Sequence, residues 1–483
     1  MNKFDHMDDK LHEECGVFGV FDAGEVQDVV NATFYALYAL QHRGQESCGI
    51  AVNEDGVIRK HRELGLVNEV FSPAVLESLG SGQMALGHVR YATTGTKRRS
   101  NAQPLVINHI KGSMALAHNG NLTNSAELRE EQELRGAIFQ STSDTEVIAY
   151  TITQERLHSP SIEQAVNSAM NKLKGAYSIV LLSPRKMIAA RDPKGFRPLC
   201  MGKLGNSIMF ASESCALGAV GAEFIRDIDP GEIVVVTEEG ITSIRDHCGQ
   251  PSSLCVFEFV YFARPDSIVD GASVHTARVR AGEALAKEHP IDADVVIGVP
   301  DSGIDAALGY ARQSGIPYGL GFLKNKYIGR TFIAAGQGRR ENDVRIKLNP
   351  IKATVEGKRV VMVDDSIVRG TTSLKIIKLL RDAGAKEVHM MLTCPPFLYP
   401  CYFGTDIDSQ KKLIAYNHTI DEVKNIIGAD SLGYLSIEAL ANVAEGCRLG
   451  YCEGCFTGRY PVDPPERPQQ VKFEQKLSKS AKE

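Results

Sequence analysis

The sequence predicts two units of different class: an α+β unit of antiparallel sheets flanked by helices, then an α/β unit on a doubly wound parallel sheet. Three observations carry this expectation. The chain has 483 residues, room for about two or three domains with a core in each. In the first half, short apolar blocks are separated by turn clusters with few helical stretches, the rhythm of antiparallel sheets. In the second half, strand-like blocks alternate with helical patterns, the rhythm of parallel strands joined by crossovers.

The antiparallel blocks are Gly16–Phe21, Met84–His88, Ser113–His118, Ser178–Leu182, Lys186–Ala190, Ile208–Ala211 and Glu232–Val236. Helices are expected over Val26–Leu40 and Thr145–Leu157. The later strands are Asp294–Val299, Lys358–Val363 and Glu387–Thr393, with helices over Ile304–Ser314 and Thr372–Ala383, the last stopped by Gly384. A boundary near residues 245–270 gives expected domains of 15–250 and 265–445, a C-terminal segment 446–463 and a disordered tail 464–483, which is rich in Pro, Gln and Lys.

Composition excludes several function classes. Lys and Arg number 54 against 59 Asp and Glu, so no basic surplus offers itself to nucleic acid. No apolar run approaches the roughly 20 residues that span a bilayer. The leader 1–14 is polar and acidic, unlike a signal peptide. These features predict a cytoplasmic protein with neither nucleic acid nor membrane as partner. Eleven cysteines, an odd count, do not suit a disulfide scaffold. Cys48, Cys200 and Cys215 read as buried packing residues.

The most informative stretch is RVVMVDDSIVRGTTS, residues 359–373. Val360–Val363 read as a strand buried on both faces, followed by Asp364 and Asp365, a run of small residues, and a helix. In an open parallel sheet, ligands bind beyond the carboxyl ends of the strands. Small residues turn backbone N–H groups inward, and the helix start adds its positive dipole end, so a phosphate is expected. Two acids beside a phosphate require another role: ribose hydroxyls or a Mg²⁺. Seen alone, two acids after a strand are a solvated turn; the strand–loop–helix context favours the ligand site. This stretch resembles the 5-phosphoribosyl-1-pyrophosphate (PRPP) signature of the type I phosphoribosyltransferases. The resemblance implies that Asp364 and Asp365 hold the ribose or the metal. It implies that Ser366, Val368, Arg369, Gly370, Thr371 and Thr372 surround the 5′-phosphate. A second small-residue loop, Pro300–Gly303, follows strand Val295–Val299, and its Ser302 is expected to assist the metal. Between the two loops, residues 324–342, with Lys324, Tyr327 and Arg330, look like the lid that family members close over PRPP. That lid and the face of Leu323–Phe332 are expected to wall a shielded path.

The first unit carries a different chemistry. Cys15 stands at the start of the first strand. If residues 1–14 are removed as a propeptide, it gains an α-amine with a pKa near 8, which can take the thiol proton without a histidine. Downstream, the GHVRYAT segment offers Arg90 to clamp a carboxylate. AHNGNL offers the Asn119 amide and the Gly120 N–H for an oxyanion hole, and STSDTE offers Asp144 for an ammonium. LQHRGQES, residues 40–47, is a further polar loop. This series resembles the class II glutamine amidotransferases, N-terminal-nucleophile hydrolases of four-layer αββα architecture. It is this match that assigns roles to Cys15, Arg90, Asn119, Gly120 and Asp144. His88 and His118 are expected to be structural, since the amine already fills the base role.

Cys452-Glu-Gly-Cys455 has a metal-ligand spacing for which zinc, an iron–sulfur cluster and a redox dithiol all compete. Joined, the two halves resemble the glutamine PRPP amidotransferase family over about residues 1–460. One branch of that family carries a cleaved leader and a 4Fe–4S cluster. By that match the cluster ligands are Cys255, Cys401, Cys452 and Cys455, with Cys394 and Cys447 as rivals. The resemblance further implies Mg²⁺, feedback inhibition by purine nucleotides and a homotetramer. A PRPP-sensing regulator and an amidotransferase with another acceptor are the competing readings.

Overall fold

The computed structural model describes residues 15–26, 28–91, 98–325, 348–405, 407 and 409–466. The leader 1–14, the lid residues Tyr327 and Arg330, and the tail from 467 lie outside the described residues.

The first unit is built on strands β1 (Gly16–Phe21), β2 (Ser47–Glu54), β3 (Val57–Leu64), β4 (Met84–Arg90), β5 (Leu105–His109), β6 (Gly112–Leu122) and β7 (Gly175–Leu182). Six more complete it: β8 (Met187–Arg191), β9 (Cys200–Leu204), β10 (Ser207–Ala211), β11 (Glu223–Asp227), β12 (Ile233–Thr237) and β13 (Gly240–Ile244). They form two sheets, ordered β11-β9-β10-β1-β4-β2-β3 and β13-β12-β8-β7-β6-β5. Each paired strand runs antiparallel to its neighbours.

Strand β1 shows why the sheets stack. Its side chains alternate between two cores: Val17 and Phe21 face the second sheet, while Phe18 and Val20 face the helices. At Gly19 the sheets approach so closely that a Cβ would stand 2.8 Å from Val180 Cγ1. Helix Val29–Ala39, capped by the Asp28 carboxylate on Val30 N and Asn31 N, covers the outer face of the first sheet. Helices Asp144–His158 and Ile162–Met170 cover the second. The result is the αββα layering expected above. The expected helix Val26–Leu40 starts later, at Val29, because Asp28 ends the preceding loop as the N-cap. The β2–β3 hairpin has little signal in the sequence: β3, VIRKHREL, is largely solvent-facing and carries little apolar pattern.

The second unit holds a parallel sheet in the order Val295–Gly298, Arg359–Asp364, Glu387–Leu392, Ser431–Tyr434. Val361 and Val363 pack on one side beneath helices Val274–Glu288 and Gly303–Ser314. Val360 and Met362 pack on the other, beneath helices Thr371–Asp382 and Ile420–Ile427. Burial on both faces explains why this strand is an unbroken apolar run.

The units are joined by a buried π-helical turn, Glu258–Phe262, and by three further ties. Leu254–Cys255 pairs in parallel with Tyr451–Cys452. Phe196 stacks on Phe403 with centroids 4.2 Å apart. Asn121 Nδ2 donates to the Tyr402 carbonyl at 2.8 Å.

Candidate active sites

β1 begins one residue after Cys15 and pairs with β4, placing Gly16 opposite Val89. Cys15 and Arg90 therefore meet at the same strand ends. The Cys15 Sγ donates to the Tyr91 carbonyl at 3.4 Å. Arg90 is buried and approaches Glu46 at 3.4 Å. From the second sheet, β6 brings Asn119 and Gly120, opposite Ser178 and Tyr177 of β7. The sheets are tied where His88 Nε2 meets the His118 carbonyl at 3.0 Å.

Asn119 is fully buried, yet neither its Nδ2 nor its Oδ1 has a hydrogen-bond partner among the described residues. An unpaired buried polar group costs about 1–3 kcal/mol, which makes this amide a candidate to meet a ligand or a water. Gly120 has φ +138°, and a Cβ there would stand 2.2 Å from the Ala176 carbonyl oxygen. Only glycine fits. Asp144 opens its helix beside the end of β6, where its Oδ2 accepts from Leu122 N at 3.1 Å. Its other oxygen lies 3.7 Å from His118 Nδ1. Burial pushes the His88 pKa down to about 3, leaving a neutral ring that is a poor base at neutral pH.

Two residues to which the sequence reading gave no role complete this region. Arg43, within the polar loop, is buried against Glu213 and Glu258. A signal for Glu258 was present: a lone acid inside the aromatic run FEFVYF needs a cation partner.

In the second unit, Asp364 ends the central strand and Asp365 follows it. They are 4% and 6% exposed, which removes the solvated-turn reading. The Asp365 carboxylate accepts from Ser302 Oγ at 2.6 Å and from Ser366 Oγ at 2.6 Å, joining the two small-residue loops. Asp364 Oδ1 accepts from Asp365 N at 3.0 Å. Gly370 adopts φ +84° as the N-cap of Thr371–Asp382, turning the chain so that the helix start faces the loop. Val368 is buried, and its carbonyl accepts from Ile414 N at 2.9 Å, fixing the loop from behind. Lys324 pairs with Asp301 at the edge of this site.

Cys255, Cys401, Cys452 and Cys455 line one cavity with Phe196, Arg197, Phe257 and Tyr460. Cys394 and Cys447 do not line it. Cys394 is buried against the Asp364–Asp365 side, and Cys447 faces the Leu449 carbonyl. Burial pushes the Cys452 thiol up to about 12. It pushes the Cys455 thiol up as well, helped by Cys401, Cys452, Cys255 and Cys394. Among the described residues, no group of three or more His, Cys, Asp or Glu side chains converges as a metal ion requires. A 4Fe–4S cluster takes one thiolate at each iron, so its ligands ring a cavity instead of meeting at a point.

Comparison with known proteins bears on both halves. A glutamine amidotransferase domain model matches residues 88–219, and a phosphoribosyl transferase domain model matches 273–430. The chain is 47% identical over 464 residues to the amidophosphoribosyltransferase of Methanocaldococcus jannaschii, covering 93% of this chain and 98% of the relative. The chain belongs to the amidophosphoribosyltransferase family. The Bacillus subtilis amidophosphoribosyltransferase is 46% identical over 458 residues, covering 94% of this chain and 95% of that one. The solved B. subtilis glutamine PRPP amidotransferase complexed with ADP and GMP matches with a TM-score of 0.85 at 45% identity, over 93% and 98% of the two chains. A structure described as the allosteric regulatory enzyme of purine biosynthesis matches with a TM-score of 0.86 at 46% identity, over 93% and 96%. As an amidophosphoribosyltransferase, the chain is an enzyme that moves glutamine nitrogen to C1 of PRPP, the first step of purine biosynthesis. The regulator and other-acceptor readings give way to this one. No helix among the described residues is long and apolar enough to cross a membrane.

Proposed function

We propose that Cys15 is the glutaminase nucleophile, exposed as the N-terminal residue when residues 1–14 are removed. The α-amine takes the thiol proton and the sulfur attacks the glutamine side-chain amide. Asn119 Nδ2 and the Gly120 N–H hold the oxyanion. Arg90 takes the α-carboxylate and Asp144 the α-ammonium. Ammonia leaves, a glutamyl thioester remains, and water releases glutamate. The observation that carries this reading is the buried Asn119 amide, without a partner among the described residues, on the strand tied to β4. Asn119→Ala should lower glutamine-dependent kcat by about 10²–10³-fold, the worth of one oxyanion donor, and leave ammonia-dependent synthesis unchanged. An undiminished glutaminase rate would remove Asn119 from the site.

In the second unit, the 366–372 loop and its helix start receive the 5′-phosphate, while Asp364 and Asp365 receive ribose hydroxyls. Asp364, Asp365 and Ser302 are hard oxygen donors that suit a Mg²⁺ shared with the pyrophosphate of the substrate. Such an ion would neutralise charge on the leaving group. Ammonia attacks C1 as pyrophosphate departs. Free ammonia protonates in neutral water, so a shielded path between the units is part of the proposal, with residues 324–342 as lid. Of the expected wall and lid, residues 323–325 are among the described residues, and Leu323 is exposed there. The cytoplasmic location, the homotetramer and inhibition by purine nucleotides complete the reading; the B. subtilis relative was solved with ADP and GMP.

Cys255, Cys401, Cys452 and Cys455 would hold a 4Fe–4S cluster with a structural role, pinning the C-terminal segment to both units. Their donor set and shared cavity fit it. Because burial holds the Cys452 and Cys455 thiols protonated, loading must expel their protons, so cluster retention should weaken as pH falls. Cys452→Ser should lose the iron and sulfide found in the parent enzyme; unchanged iron content would refute the ligand set.

A further inference from the structure

We propose that Glu258 is a positioning residue for glutamine hydrolysis, acting through Arg43 on the backbone of Cys15. This inference rests on the reading of Cys15 as nucleophile. Arg43 is fully buried, and each of its three nitrogens is committed. Nη1 and Nη2 donate to the two Glu258 oxygens, both at 2.9 Å, and Nη1 also donates to Glu213 Oε1 at 2.6 Å. The remaining Nε donates to the Cys15 carbonyl at 3.0 Å. A planar guanidinium held bidentate on one edge has its Nε direction fixed, so the Glu258 carboxylate sets where the Cys15 carbonyl is held.

The same loop also sets Arg90. Gly44 packs so tightly on β4 that a Cβ would stand 2.6 Å from Arg90 N. Moving Arg43 therefore disturbs both the nucleophile strand and the carboxylate clamp. Glu258 itself belongs to neither sheet. It lies in the π-helical turn between the units, held from the other side by Arg278, whose Nε donates to the Phe259 carbonyl at 2.8 Å and whose Nη2 donates to Ala263 at 2.7 Å. Arg197 adds a second cation, reaching Glu258 at 3.4 Å and the Phe403 carbonyl at 2.9 Å. Two guanidinium groups and the carboxylates of Glu213 and Glu258 balance in charge. A buried ion cluster of this kind contributes little net stability, so its fixed geometry is the more informative property.

The test measures glutamine hydrolysis and ammonia-dependent synthesis on the same preparations of the mature enzyme. In Glu258→Gln the amide replaces one acceptor by a donor facing Arg43. Glutamine kcat should fall by about 100-fold, the scale of a small misplacement of reacting groups, with ammonia-dependent synthesis retained. The rate at which an electrophilic glutamine analogue alkylates Cys15 should fall with it. Because Glu258 is buried, the double variant Arg43→Gln/Glu258→Gln provides the second arm: it removes one charge of each sign and keeps the cluster balanced. Ammonia-dependent synthesis there should match the parent while glutamine hydrolysis stays low, since the Arg43 guanidinium no longer holds the Cys15 carbonyl. Glutamine hydrolysis at the parent rate in either variant would overturn the positioning role, as would parallel loss of both activities in both variants. Those outcomes leave the nucleophile assignment standing, because that is decided by Cys15 itself.

Discussion

Replacement of Cys15 by alanine is expected to abolish glutamine-dependent product, by about 10⁴-fold or more, as the loss of a covalent nucleophile does elsewhere. Ammonia-dependent product should persist at the parent rate. The structure explains why the two effects separate. Cys15 lies in the two-sheet unit, and two groups that hold it, the Tyr91 carbonyl and Arg43, belong to that unit. The acids of the second site stand on a different sheet. Alanine keeps the backbone carbonyl that Arg43 holds, and removing one sulfur from a buried site costs about 1–2 kcal/mol at most. The fold should survive. Steady-state assays with glutamine and with ammonium at high pH, on one preparation, check the prediction. Loss of both activities in a folded variant would mean that the two reactions share a centre.

The same separation governs how much could be read from the sequence. The doubly buried strand Val360–Val363 and the motif after it were legible because strand, acids, small residues and helix are contiguous. Asp365 and Ser366 are neighbours in chain as well as in space; Ser302, 63 positions away, required a second motif on the same sheet edge. The first site is scattered over four segments, so residue chemistry suggested a carboxylate clamp and an oxyanion hole, and only resemblance joined them. Arg43 was visible but without a role, since its partners Glu213 and Glu258 lie 170 and 215 positions further on. Among the cysteines, spacing identified only Cys452 and Cys455 as a pair. The parallel pairing of Leu254–Cys255 with Tyr451–Cys452, which sets Cys255 opposite Cys452, is a tertiary fact with no local signature.

Asp365→Ala should have the opposite profile: loss of product with either nitrogen source, by roughly 10³-fold, with glutamine hydrolysis spared. The size follows from how many groups depend on this carboxylate. It holds Ser302 on one oxygen and Ser366 on the other, at 2.6 Å each, so alanine removes a charge and releases two loops together. Asp365→Asn separates the two contributions. Serine hydroxyls rotate, and one can accept from the new amide while the other still donates to its carbonyl, so the loops stay joined and the charge alone is lost. If the charge does the chemistry, through ribose hydroxyls or Mg²⁺, both variants should be comparably inactive, and raising Mg²⁺ should restore little. If loop geometry is what matters, the asparagine variant should retain most of its rate. Measuring kcat and the apparent affinity for PRPP in both variants, with hydrolysis of glutamine as the internal control, decides between them. Full synthesis in the alanine variant would place the ribosyl site elsewhere on the sheet.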